Sequence, residues 1–276
     1  MLLGGALIGV PHGSSDFVVA HRALRPDLGR AWLPAFLVGY LALVALTMLC
    51  WAAAPLATLL GFIALSGLHF GSGDLPAFAR TRGLGLVVRA TTPLLPVLVL
   101  HPAGVADLIA VLGGVGEATA TRTLDVLRWP LLLPWVSVLL WFVVPRVLSP
   151  ASGRMGARER RGALEILAIA FAAVALPPLL AFALYFCLVH AVRHMIDIAD
   201  DHQPHDLRRA AVLAAAVVLP SAVACLVALA LAWDGMAGSF GTTDVIAWSI
   251  RLIAALTVPH MALEAWVRRA GRRGCG

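Results

Sequence analysis

Apolar residues run through this chain in blocks of roughly twenty, near residues 2–20, 32–51, 55–71, 84–101, 127–146, 162–176, 179–197, 210–233 and 245–267, with short polar junctions between them. A block of that length matches a hydrocarbon core about 30 Å thick, where no water satisfies the backbone, so each block predicts a helix. The pattern therefore predicts an all-α fold: a polytopic integral membrane helical bundle of about 8–9 transmembrane helices, forming one domain over residues 1–276. Pro177 and Pro178 in "ALPPLLAF" predict a hairpin between two short helices, with a kinked helix or a re-entrant segment as alternatives. Residues 103–126, carrying Gly113, Gly114, Gly116 and "GEATATRTLD", predict a loop with an interfacial helix.

Composition strengthens the membrane reading. The chain is 61% hydrophobic and 13% charged, with a mean hydropathy of +0.90, against about 45–50% apolar and 25% charged in soluble domains. All 21 basic residues are arginine and the net charge is +6. Their location argues against a nucleic-acid surface, because they cluster at alternate junctions as the positive-inside rule expects of cytoplasmic loops. Arg22, Arg25 and Arg30, then Arg80, Arg82 and Arg89, then Arg146 to Arg161, Arg193, Arg208 and Arg209, and finally "RRAGRR" fall on one side; Arg122 and Arg128 fall on the other. This predicts a multi-pass protein of the cell (inner) membrane with a cytoplasmic C-terminus and "DGMAGSFGTTD" outside. No basic leader precedes the first block, so a retained start is expected. Cys50, Cys187, Cys225 and Cys275 form no CxxC pair and read as small core residues.

Against this apolar background the histidines stand out, since an ionisable side chain at membrane depth usually faces an interior and has a job. His12 lies in "VPHGSSD", His69 in "GLHFGSGD", His190 and His194 in "YFCLVHAVRHMID", and His260 in "TVPHMALE". The assigned topology puts His12 mid-span in the first block, His69 near the inner end of the third, and His190, His194 and His260 in the inner half of theirs, so that all five could meet at one depth, while His101, His202 and His205 fall in loops and His21 at a span boundary. His190 and His194 are four apart, so on a helix they share a face at the spacing two metal ligands need. Neutral imidazole suits iron, zinc and copper. Asp16 and Asp74 follow His12 and His69 by a few residues. They read either as carboxylates that take a ligand's other ring N–H or as boundary residues pairing with Arg22 and Arg80. His260 reads as a ligand, an outer hydrogen-bond donor or a satisfied buried histidine, and Glu264 as an outer group or a helix-end anchor.

Taken in order along the chain, "GVPHGSSD", "LHFGSGD", "YFCLVHAVRH" and "VPHM" resemble the motifs of the Brp/Blh family of membrane β-carotene 15,15'-dioxygenases, and the resemblance covers nearly the whole chain. It implies a non-haem Fe(2+) enzyme that uses O2 to cleave β-carotene, or a related carotenoid, at the central double bond to give retinal. By matching positions, the metal ligands and catalytic residues would be His12, His69, His190 and His194; Asp16, Asp74 and His260 stay the candidates for outer groups that the residues themselves suggest. The chain departs from the family pattern at Phe17, Ser72 and Gly73, positions that bear on the carotenoid rather than on the iron.

The implied chemistry suits the residues. Four neutral imidazoles leave Fe(2+) its charge and up to two open positions, and the hard chemistry belongs to metal and dioxygen. The expected partners are a lipophilic carotenoid, O2 and the lipid bilayer, with no nucleic acid and no protein partner named. Trp51, Phe62, Phe70, Trp141, Phe182, Tyr185, Phe186 and Trp266 could line a carotenoid tunnel or simply pack helices. Two other classes use histidines in apolar helices: a transporter with an intramembrane His/Asp proton or metal relay, which would carry inverted repeats, and a haem-binding electron carrier, which would show a Soret band. A di-iron hydroxylase would need more clustered histidines than the single close pair here.

Overall fold

The computed structural model describes residues 15–74, 82–148, 153–202 and 242–273. Every element among them is helical: α1 (Asp16–Leu28), α2 (Trp32–Ala53), α3 (Pro55–Gly73), α4 (Arg82–Thr91), α5 (Leu95–Leu100), α6 (Pro102–Gly113), α7 (Glu117–Leu148), α8 (Gly153–Ala175), α9 (Pro178–Tyr185), a π-helical turn (Phe186–His190), α10 (Ala191–His202) and α11 (Thr242–Arg273). The breaks follow proline chemistry. Ala54, Thr92, His101 and Pro177 each precede a proline, whose ring pushes the preceding residue out of the helical region while itself suiting the first helical turn. Thus Ala54 (φ −148°, ψ 71°) ends α2, and Pro177 (φ −53°, ψ 143°) opens α9. Gly29 (φ 54°) and Gly114 (φ 61°) end α1 and α6 in a conformation that favours glycine.

The fold is that of a helical membrane protein. α1 and α2 with the intervening turn, α3, α7 and the 247–270 part of α11 are long and apolar enough to cross a bilayer, and α6 and the run 178–194 are shorter apolar helices. Leu41, Leu49, Trp141, Phe171 and Leu188 are largely exposed, as expected of side chains whose solvent is lipid.

Residues divide into two compact units, one of Met1–Thr58 with Ala191–Gly276 and one of Leu59–His190. In the Leu59–His190 unit, Val88 of α4 packs with Trp135, Leu139, Phe142 and Val143 of α7 and with Ala163, Ile166 and Ala170 of α8. Ala173 meets Ala181, and Ile169 meets Tyr185. Both pairs are symmetric about Pro177, so α8 and α9 form the expected hairpin. In the other unit, α2 packs along α11, and Tyr40 Oη donates to Leu256 O at 2.9 Å.

Four expectations need correction. The single span at 84–101 is two helices, because Thr92 and Pro93 break it. The region 103–126 is almost wholly helical, with α6 starting at Pro102 and α7 starting at Glu117, ahead of the apolar block. Arg89 is no loop arginine: it is 4% exposed and its Nη1 donates to Glu165 Oε1 at 2.9 Å. His202 ends α10 rather than lying in a loop. The expected span at 210–233 lies outside the described residues.

Candidate functional site

In the Leu59–His190 unit, the end of α3 and the π turn supply one cluster. His69 sits on α3 between Gly67 and Gly71, where a Cβ would come within 2.7 Å of Ala90 O or Leu86 O, so the missing side chains let α4 lie directly against this helix. Such a small-x-x-x-small spacing is how membrane helices approach closely. Asp74 N–H donates to Phe70 O at 2.8 Å, which continues the last turn and carries the carboxylate into the interior. There Asp74 Oδ1 accepts from His190 Nδ1 at 3.1 Å and Asp74 Oδ2 accepts from Tyr185 Oη at 2.7 Å. A carboxylate can only accept here, so the proton sits on His190 Nδ1 and the ring's lone pair on Nε2, the tautomer that a metal-binding histidine needs. The His69 ring stands edge-on to the His190 ring at 5.1 Å between centroids. Phe70 and Phe186 flank His190 at 4.6 and 5.8 Å. All of His69, Asp74, Tyr185 and His190 are buried.

A second cluster lies in the other unit. Asp16, the first residue of α1, accepts from His260 Nδ1 through Oδ1 at 2.6 Å, and the two side chains are 3% and 2% exposed. Position at a helix N-terminus also suits the carboxylate electrostatically. His194 stands edge-on to His260 at 5.4 Å, its Nε2 lying 3.3 Å from Ser15 Oγ and 3.9 Å from Glu264 Oε1. Glu264 in turn accepts from Arg268 Nη1 at 2.8 Å.

The donor set suits a divalent iron ion in kind: buried imidazoles, two of them held at Nδ1 by carboxylates, as metal-ligating histidines commonly are. Among the described residues no three His, Cys, Asp or Glu side chains converge into a ready-made metal cage. A family model described as beta-carotene 15,15'-dioxygenase matches residues 3–268. The chain belongs to that family. With it the chain is a carotenoid-cleaving dioxygenase. It is 28% identical to "Probable beta-carotene 15,15'-dioxygenase Blh" of Halobacterium salinarum, over 98% of this chain and 84% of that protein. It is 27% identical to "Beta-carotene 15,15'-dioxygenase" of uncultured marine bacterium 66A03, over 95% of this chain and 90% of that one. No solved structure matches.

Within this dioxygenase, His69 and His190 lie together in one unit and His194 and His260 together in the other, each pair with its carboxylate. His12 lies outside the described residues. Asp74 and Asp16 reach histidines rather than serving as simple boundary charges: Asp74 holds His190 and Asp16 holds His260, each from a distant part of the chain. Of the aromatic candidates, Phe70 and Tyr185 are buried beside His190, whereas Trp141 and Trp266 are exposed. His101 is half-buried and its Nε2 donates to Ala173 O at 2.9 Å, a structural bond at the α5–α6 junction.

Sequence reasoning passed over three things. Tyr185 as a carboxylate partner has no local signal. The close approach of α3 and α4 is signalled by "GLHFG", a GxxxG spacing in an apolar helix. The π turn at Phe186–His190 is the third; such turns are often found at functional sites.

Proposed function

We propose that the chain cleaves β-carotene, or a close relative, at the central 15,15' double bond with O2 to give retinal, and that it does so with Fe(2+) held by His12, His69, His190 and His194. The reaction balances without another reductant: the C=C and O=O bonds break, two C=O bonds form, and each half of the polyene leaves with one oxygen. The observation that carries the reading is the Asp74–His190 pair, a buried imidazole fixed at Nδ1 inside an apolar helix and edge-on to a second histidine. When bound, Fe(2+) supplies the electron density that activates O2 for attack on the polyene. The residues do the rest. Asp74 keeps the proton on His190 Nδ1, Tyr185 holds Asp74 by its second oxygen, and Phe70 and Phe186 shield the imidazole from water and offer an apolar surface to a lipophilic substrate. Since β-carotene dissolves in the bilayer, entry directly from lipid fits a protein whose outer surface is apolar.

The charge pattern supports the cell membrane as location, with "RRAGRR" in the cytoplasm. The test of function is expression in β-carotene-accumulating cells, with loss of orange colour and appearance of retinal by chromatography, alongside iron per chain in the purified protein. Retained carotenoid with verified, iron-loaded protein overturns the substrate. Products shorter or longer than retinal overturn the cleavage position. Cleavage by protein that contains no iron overturns the cofactor.

A further inference from the structure

We propose that His260 binds the metal directly through Nε2 and that Asp16 is the carboxylate that orients it; the inference rests on the iron reading above. Two arrangements in this chain repeat each other. In one, Asp74 holds His190 at Nδ1 and His69 stands edge-on at 5.1 Å. In the other, Asp16 holds His260 at Nδ1 and His194 stands edge-on at 5.4 Å. Each carboxylate follows a His-containing, glycine-bearing motif, "PHGSSD" or "HFGSGD", and each histidine comes from a distant helix. The chemistry of the first arrangement applies to the second.

Position in the chain of contacts decides between ligand and outer group. In a carboxylate–histidine–metal series the carboxylate is the outer member and the imidazole the inner one. His260 can orient a ligand only by donating to it, yet its N–H at Nδ1 is spent on Asp16 at 2.6 Å. Nε2, the nitrogen on the far side of a side chain that is 2% exposed, is then the atom with a lone pair to give. A histidine–aspartate pair buried in an apolar helix without such a use is costly. His260 therefore belongs with His194 as a pair of metal-binding imidazoles on one unit.

The test is equilibrium titration of the purified full chain with Fe(2+), anaerobically, and with Co(2+) read by its visible ligand-field bands. His260→Gly should bind both ions more weakly by at least about 100-fold, and added imidazole should restore the Co(2+) spectrum, because it refills the vacated position. Asp16→Asn, which keeps the shape and one accepting oxygen, should lose about 10–100-fold and covers the case in which the glycine variant fails to fold. Wild-type affinity in folded His260→Gly, or in Asp16→Asn, would show a buried structural pair and overturn the inference while leaving the iron reading intact. Failure of the wild-type chain to take up either ion would instead overturn the iron reading, and this inference with it.

Discussion

Replacing Gly71 by alanine tests whether the close approach of α3 and α4 holds the site. A Cβ there would lie 2.7 Å from Leu86 O and 2.8 Å from Ala90 N, against the 3.4 Å where ordinary contact begins, so α4 must retreat by about 0.7 Å. Both atoms are backbone, so no side-chain rotation relieves the clash. A gap of that size forfeits roughly a quarter to a half of the dispersion energy at each separated contact, and α4 carries Val88, 1% exposed, into the core formed with Trp135, Leu139, Phe142 and Ile166. Overpacking of this kind costs about 1–3 kcal/mol. Alanine also returns up to about 1 kcal/mol of helix propensity. Gly61, on the same helix with nothing within 4 Å of its Cβ position, provides the control that receives the propensity gain alone. The two variants should differ by about 1–3 kcal/mol in denaturant unfolding followed in mixed micelles by tryptophan fluorescence. Since His69 lies between Gly67 and Gly71, bound iron should fall in Gly71→Ala and stay normal in Gly61→Ala. Equal stability and equal iron in the two variants would refute the argument that glycine is needed for helix approach at this point.

Other substitutions separate metal chemistry from scaffolding. Asp74→Asn should weaken iron binding by about 10–100-fold, partly recovered with excess ferrous iron. Tyr185→Phe should cost about 1.5–3 kcal/mol of stability through the lost bond to a charged acceptor, with a smaller loss of iron; an unchanged unfolding midpoint would count against the Tyr185–Asp74 bond. Glu165→Gln leaves the buried Arg89 without its counter-charge and should destabilise toward the low end of about 3–5 kcal/mol, because Glu165 is itself 30% exposed, with iron content unaffected in the folded fraction. His101→Ala should lower stability by about 0.5–1.5 kcal/mol through the bond to Ala173 O and leave iron and cleavage unchanged; loss of iron there would place the metal in the wrong part of the protein.

Much of this protein was legible without coordinates, for local reasons. Blocks of about twenty apolar residues can only be helices in lipid, and helices end at the Ala54–Pro55 and Pro177–Pro178 bonds, although Pro130, Pro134 and Pro259 stand inside α7 and α11 without ending them. Buried histidines and aspartates announce themselves by their cost in an apolar run, which is why His69, His190, His194, His260, Asp16 and Asp74 were all candidates. Shorter-range detail was less legible. Thr92–Pro93 splits an apolar block that hydropathy averages into one, and Glu117–Asp125 is helical although polar, because helix formation there is not tied to membrane depth.

What only the tertiary structure decided is which groups meet. The sequence placed Asp16 near His12 and Asp74 near His69, but the carboxylates bond His260 and His190, which stand 244 and 116 positions away. Arg89 reads as one more arginine of a basic junction until α8 brings Glu165 to it, and Tyr185 reads as a packing aromatic until the Pro177 hairpin brings it to Asp74. The physical reason is that backbone hydrogen bonding inside a helix is satisfied within a few residues, so local composition determines it directly. A buried charge or imidazole is satisfied only by whatever a neighbouring helix presents at the same depth, and that depends on how closely small residues such as Gly67 and Gly71 let the helices approach.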